Sequence, residues 1–154
     1  MKVFRAVLFL AGLLAALPVS AQTTMDELET VRAQGAADRK EIVSNLMDFT
    51  DTESAAFWPI YNEYRDGVRK LDDQTVSMIQ SFGSADSLTA KLADQSLNEW
   101  MTLKANKASL RKSYVKKFSK VLPPGKLVRY YQIENKMDAV VEYGLATNIP
   151  LVGK

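Results

Sequence analysis

The 154-residue chain contains no cysteine and no histidine. Without cysteine, no disulfide staples the fold and no thiolate is available for redox or nucleophilic chemistry. Without histidine, the commonest general base, the commonest transition-metal ligand and the usual near-neutral proton switch are all missing. Zinc sites built from Cys and His are therefore excluded. Proline and glycine are sparse, at 5 and 7, and no Gly/Ser-rich linker or low-complexity run divides the chain. No G-x-S-x-G, P-loop, H-E-x-x-H or C-x-x-C motif is present. The neighbouring acids Asp72-Asp73 and Asp48/Asp51/Glu53 lack the Gly-centred spacing of a calcium loop, and Asp72-Asp73 reads as a solvated pair. We expect no enzymatic activity, cofactor or metal.

The longest apolar run is too short to span a membrane. Val7–Leu17 covers 11 residues, where a spanning helix needs about 20. It follows Lys2 and Arg5, and it precedes Pro18 and the small-residue site Val19-Ser20-Ala21. These are the regions of a cleavable secretory signal peptide. Cleavage is expected after Ala21, with no stable membrane insertion afterwards. The product would be periplasmic or secreted, and residues 22–154 would form a single helical domain.

The formal net charge of +2 resides in the leader, since removing Lys2 and Arg5 leaves 18 charges of each sign. Those charges are unevenly placed. Gln22–Glu99 holds 7 basic and 15 acidic residues, whereas Trp100–Lys154 holds 11 basic and 3 acidic. The two halves should attract, either within one chain or head to tail between two copies.

Four helical segments are predicted. The first, about Thr24–Met47, is interrupted at Gly35. The second opens on Thr50-Asp51-Thr52-Glu53, a capping box in which Thr50 and Glu53 satisfy each other's backbone N–H groups. Its apolar seam is Phe57, Tyr61, Tyr64, Val68, Leu71, Thr75, Met78, Phe82, with steps alternating between 4 and 3. Pro59 should kink it near Ala55–Trp58, and Gly83 ends it. The third runs from about Leu88 to Val121 along Leu92, Ser96, Trp100, Leu103, Lys107, Leu110, Tyr114, Phe118, Val121. Pro123-Pro124-Gly125 separates it from the fourth, about Lys126–Ala146. The predicted fold is all-α: an elongated four-helix hairpin with two long central helices. So thin a hairpin should leave apolar stripes exposed, and such stripes usually mark an interface. A homodimer or a concave binding surface is expected.

Two clusters are candidates for binding. Lys104, Lys107, Arg111, Lys112, Lys116, Lys117 and Lys120 form a basic helix. They would either capture an anionic partner or cover the apolar seam with their stems and neutralise the acidic first half. Export argues against nucleic acid. Phe57, Trp58, Tyr61 and Tyr64, with Tyr114, Phe118 and the Tyr130-Tyr131 pair, would form either a contact surface or helix–helix core.

Phe49-Thr50-Asp51-Thr52-Glu53 resembles the L-T-x-x-Q motif of the Spy/CpxP family of periplasmic proteins. Phe49 stands for Leu and Glu53 for Gln, and each copy of the motif opens a helix. The second copy would fall on Leu122-Pro123-Pro124-Gly125-Lys126, where only the Leu matches. The chain also resembles, more closely, exported proteobacterial proteins with Phe-Trp-Pro-Ile-Tyr at Phe57–Tyr61 and Arg-Tyr-Tyr-Gln-Ile-Glu-Asn-Lys at Arg129–Lys136, a likeness that implies no activity. The Spy/CpxP resemblance implies a cradle-shaped homodimer that holds unfolded polypeptides without ATP. Lys104, Arg111, Lys112, Lys116 and Lys120 would attract the client, and Phe57, Trp58, Tyr61, Tyr64 and Met78 would touch it. The alternative that it allows is an envelope-stress signalling or structural accessory docking one envelope partner.

Overall fold

A computed structural model describes residues 37–83 and 89–148. The expected signal peptide, the first part of the first predicted helix and the tail after Asn148 lie outside these residues. The described residues form four helices and no strand. They are α1 (37–47), α2 (Asp51–Gly83), α3 (Ala90–Phe118) and α4 (Pro124–Asn148). The fold is all-α, with α2 and α3 the long pair. No described helix is long and apolar enough to cross a membrane.

Local chemistry sets the helix boundaries. Asp48, just after α1, adopts a left-handed conformation (φ 49°), which ends a helix and which Asp tolerates better than most residues. The Thr50 N–H then donates to Glu53 Oε2 (2.8 Å) while the Glu53 N–H donates to Thr50 Oγ1 (3.3 Å). This reciprocal pair opens α2. Pro59 lies inside α2, which continues through it. Both Pro59 and Ala55, whose carbonyl receives no N–H from the proline, lie on an exposed face of the helix. Thr89 caps α3 by accepting from the Leu92 N–H at 3.2 Å. Helix α3 ends at Phe118 rather than Val121. Its last turn tightens as the Lys120 N–H reaches the Lys117 carbonyl and the Val121 N–H the Phe118 carbonyl. Leu122 precedes a proline and is biased away from helical geometry. Pro124 then occupies the first position of α4, where a missing N–H costs nothing.

The described chain packs as two compact units. One comprises α1 and α4. Its buried residues recur at helical spacing, with Arg39, Val43 and Met47 on α1 and Tyr130, Ile133, Glu134 and Met137 on α4. Arg39 ties the two helices together by donating to Glu134 Oε2 (3.4 Å) and to Asp138 Oδ1 (2.9 Å). Lys126 Nζ donates to the Asp48 carbonyl, holding the start of α4 to the turn after α1.

The other unit, Thr50–Pro124, is the antiparallel hairpin of α2 and α3. Its contacts step in opposite directions along the two helices. Phe57 meets Phe118, Tyr64 meets Tyr114, Gly67 meets Leu110 and Asp72 meets Lys107. At Gly67 the helices approach so closely that an added Cβ would lie 3.1 Å from Leu110 Cδ2. Glycine is tolerated inside α2 there because it removes the side chain at this crossing.

Candidate functional site

The aromatic residues expected to touch a client lie in the middle of the hairpin. Phe57 is fully buried, and its ring packs against Trp58, Tyr61 and Phe118 at centroid distances of 5.2, 5.6 and 5.2 Å. Tyr61, Tyr64 and Met78 are also buried. The Tyr64 ring meets Tyr114 (5.3 Å) and Phe118 (6.2 Å). Of the five, only Trp58 keeps partial exposure. Its indole N–H donates to Ser54 Oγ one turn back (3.0 Å), and its ring stands edge-on to Tyr61. The expectation of a contact surface at Phe57, Tyr61, Tyr64 and Met78 is thus corrected. They lie on the inward seam of α2, and the paired helix α3 covers them. Thr75, the polar break in that seam, bonds its hydroxyl to the Leu71 carbonyl of its own helix (2.9 Å).

The basic cluster divides in two. Three members reach across to α2, Lys117 while remaining exposed. Lys107 bridges Asp72 (2.5 Å), Lys117 bridges Glu63 (2.8 Å), and the Arg111 Nε lies 3.5 Å from the Tyr64 hydroxyl. Asp72, read as half of a solvated pair, is therefore a cross-helix ion-pair partner. The hydrogen bond from Lys117 holds the Glu63 carboxyl below its ordinary range, and the same bond raises the Lys117 pKa. Burial, followed by the hydrogen bond with Glu63, pushes the Tyr114 hydroxyl up. Lys117 Nζ also lies 4.3 Å from the Tyr114 ring centroid. Lys104, Lys112, Lys116 and, in the following turn, Lys120 are exposed.

The outward side of α3 is apolar as well as basic. Leu97 and Met101 are each 61% exposed, Trp100 42% and Val115 37%. Lys104 Nζ lies 6.0 Å from the Trp100 ring centroid. Positions 97, 101, 104, 108, 111 and 115 recur at steps of 4, 3, 4, 3 and 4, with Leu97, Met101, Lys104, Ala108 and Val115 exposed and Arg111 turned to Tyr64. Leu97 and Val115 are five whole turns apart and point the same way, roughly 27 Å from each other. The contrast with α2 is direct. The exposed residues described on α2 are Asp51, Thr52, Ala55, Pro59, Asn62, Glu63, Asp66, Arg69, Lys70, Gln74 and Ser77, none of them a large hydrophobe. One side of the hairpin is ordinary solvated surface, and the other carries an apolar strip set among lysines.

Sequence reasoning missed this strip. Trp100 was placed on the inward seam, but Ser96 and Leu103 take the buried positions on either side of it. Trp100 nevertheless lies five whole turns before the buried Phe118 and points the same way, so spacing alone did not decide its exposure. The second 4-3-4-3-4 series along α3 was the signal that could have found the strip. Thr50 and Glu53 of the motif segment act as the cap of α2, and the preceding Phe49 is half-buried. Among the described residues, no group of three or more acidic side chains is placed to hold a metal ion.

No family model, curated protein or solved structure matches the chain.

Proposed function

We propose that this chain is an exported, non-enzymatic holdase that binds unfolded polypeptides without ATP through the outward face of α3. The observation that carries the reading is the exposed strip Leu97, Trp100, Met101 and Val115 set among Lys104, Lys112 and Lys116. A cluster of large apolar side chains left in solvent on a small protein, here Leu97, Trp100 and Met101, marks an interaction site. The lysines attract acidic stretches of a client over a distance of about 10 Å. Leucine and methionine then supply adaptable, non-directional contact. The resemblance of Phe49–Glu53 to the Spy/CpxP motif supports the same class of activity, and the signal-peptide pattern of residues 1–21 supports export.

A light-scattering assay with an unfolding client tests the proposal. The mature protein at stoichiometric concentration should suppress aggregation, and a Leu97→Glu/Met101→Glu double variant should lose most of that effect. Aggregation unchanged by the unmodified protein would contradict the reading.

The regular spacing of the strip favours a second reading, in which the same face docks one specific envelope partner. A pull-down from envelope extract separates the two. One stoichiometric partner favours docking, and many weak clients favour the holdase.

A further inference from the structure

The strip on α3 has the register of a coiled-coil seam. Leu97, Met101, Lys104, Ala108 and Val115 follow the alternating spacing of d and a positions, and the intervening position 111 keeps the register although the Arg111 side chain reaches to Tyr64. A seam of this period stays in contact with one partner helix over its whole length when the two cross at about 20°. Apolar anchors lie at the two ends, with Leu97, Trp100 and Met101 at one and Val115 at the other. Ala108 near the middle is small and exposed, which permits close approach. We infer that this face, the binding face proposed above, is a docking strip for an acidic amphipathic α-helix of about five turns.

The charge on α3 selects the occupant. Helix α3 carries 7 basic and 2 acidic residues. Two copies joined along this strip would set two helices with the same excess of positive charge side by side, which opposes self-pairing. An anionic lipid surface fits less well, because it would set a plane of negative charge against the exposed Asp94, one turn before Leu97, whereas a single helix can carry an uncharged residue there. The end with the most apolar anchor would thus carry the repelled charge. A helix with Leu at its a and d positions and Glu at its e and g positions complements both the apolar anchors of the strip and the positive charge of α3. Its leucines face Leu97, Met101, Ala108 and Val115, and its glutamates flank the seam beside Lys112 and within reach of the long Lys104 side chain.

The test uses the full mature chain and two labelled synthetic peptides of about four heptads each. Both have Leu at a and d. One has Glu at e and g, and the other has Lys there. By fluorescence anisotropy the Glu peptide should bind at least about tenfold tighter than the Lys peptide, with an advantage that falls as salt rises. Met101→Asp should weaken binding of the Glu peptide by about tenfold or more. The Lys112→Glu/Lys116→Glu pair should weaken the Glu peptide and strengthen the Lys peptide, a reversal that misfolding cannot produce. All three positions are exposed, and unchanged far-UV circular dichroism confirms the fold.

Four results would each overturn the inference: equal binding of the two peptides, equal binding of a proline-interrupted Glu peptide, displacement of the Glu peptide by anionic vesicles, or a homodimer in sedimentation that Met101→Asp converts to monomer. Aggregation suppression that persists while the helical peptide fails to bind would reject this inference alone. Loss of both would reject the binding face itself.

Discussion

Two aromatic residues should separate stability from binding. Phe57 is fully buried and its ring touches three others, whereas Trp100 is 42% exposed. A buried aromatic side chain removes about 150–250 Å² from water. At about 25 cal/mol per Å² that area corresponds to roughly 4–6 kcal/mol. Phe57→Ala keeps one carbon of the side chain and leaves a cavity, so the net loss should be about 3–5 kcal/mol. The unit Thr50–Pro124, of about 75 residues, has a stability of roughly 4–11 kcal/mol. The variant therefore removes a large fraction of it. Both tryptophans, Trp58 and Trp100, lie in this unit, so tryptophan emission during urea titration reports on it selectively. With an m-value of about 2 kcal/mol/M, the midpoint should fall by roughly 2 M. Trp100→Ala should shift the same midpoint by the equivalent of less than about 1 kcal/mol, yet it should impair aggregation suppression. A Phe57→Ala protein that kept its urea midpoint and lost only client binding would refute the assignment of the aromatic seam to the core.

Three further outcomes are expected. Arg39→Met leaves the buried Glu134 carboxylate without its cation and should destabilise the α1/α4 unit by about 3–5 kcal/mol, whereas Arg39→Met/Glu134→Leu should recover most of that loss. Far-UV circular dichroism in urea checks both, and an additive double variant would contradict the pairing. The Glu63–Lys117 bridge should stabilise the hairpin only within a pH window. The lowered Glu63 pKa gives stability that is present above its ordinary value of 4.5 and is lost as pH falls through the lower folded value. The raised Lys117 pKa gives stability that is present below 10.5 and is lost as pH rises through the higher folded value. The melting-temperature difference between the unmodified protein and Glu63→Gln should therefore shrink below pH 4.5, and a difference unchanged down to pH 3 would contradict the bridge. Gly67→Ala gains up to about 1 kcal/mol of helix propensity. Half-exposed Leu110 has room to move the few tenths of an ångström required, so this variant should be slightly more stable. Gly67→Leu should cost more than about 2 kcal/mol by overpacking the crossing.

The long hairpin was legible because its signals are local. The Thr50/Glu53 box, the 4-3 seam from Phe57 to Met78 and the Pro123-Pro124 break each act within a turn or two of chain. They position α2, α3 and α4 to within a few residues. The destination of the aromatic seam was not legible. A linear pattern shows that one face of a helix is apolar, but not whether its own hairpin or a foreign chain covers it. Phe57, Tyr61 and Tyr64 could have met either, and the antiparallel register of α3 decided it. The same blindness applied to the lysines. Lys107 and Lys117 differ from Lys104, Lys112 and Lys116 only in which way α3 turns them. That became definite once Asp72 and Glu63 were opposite them. Trp100 fits the inward spacing and shares the direction of the buried Phe118, yet it is 42% exposed, so a linear pattern could not decide its burial.

The central claim is that polypeptides bind the outward face of α3 and not that of α2. Site-specific photocrosslinking tests it directly. A photoactivatable phenylalanine analogue is placed in one variant at Met101 and in another at Gln74, an exposed position on α2. Each variant is irradiated during client unfolding. The account predicts client adducts from position 101 and few or none from position 74. Equal yields from the two positions, or adducts only from position 74, would contradict it.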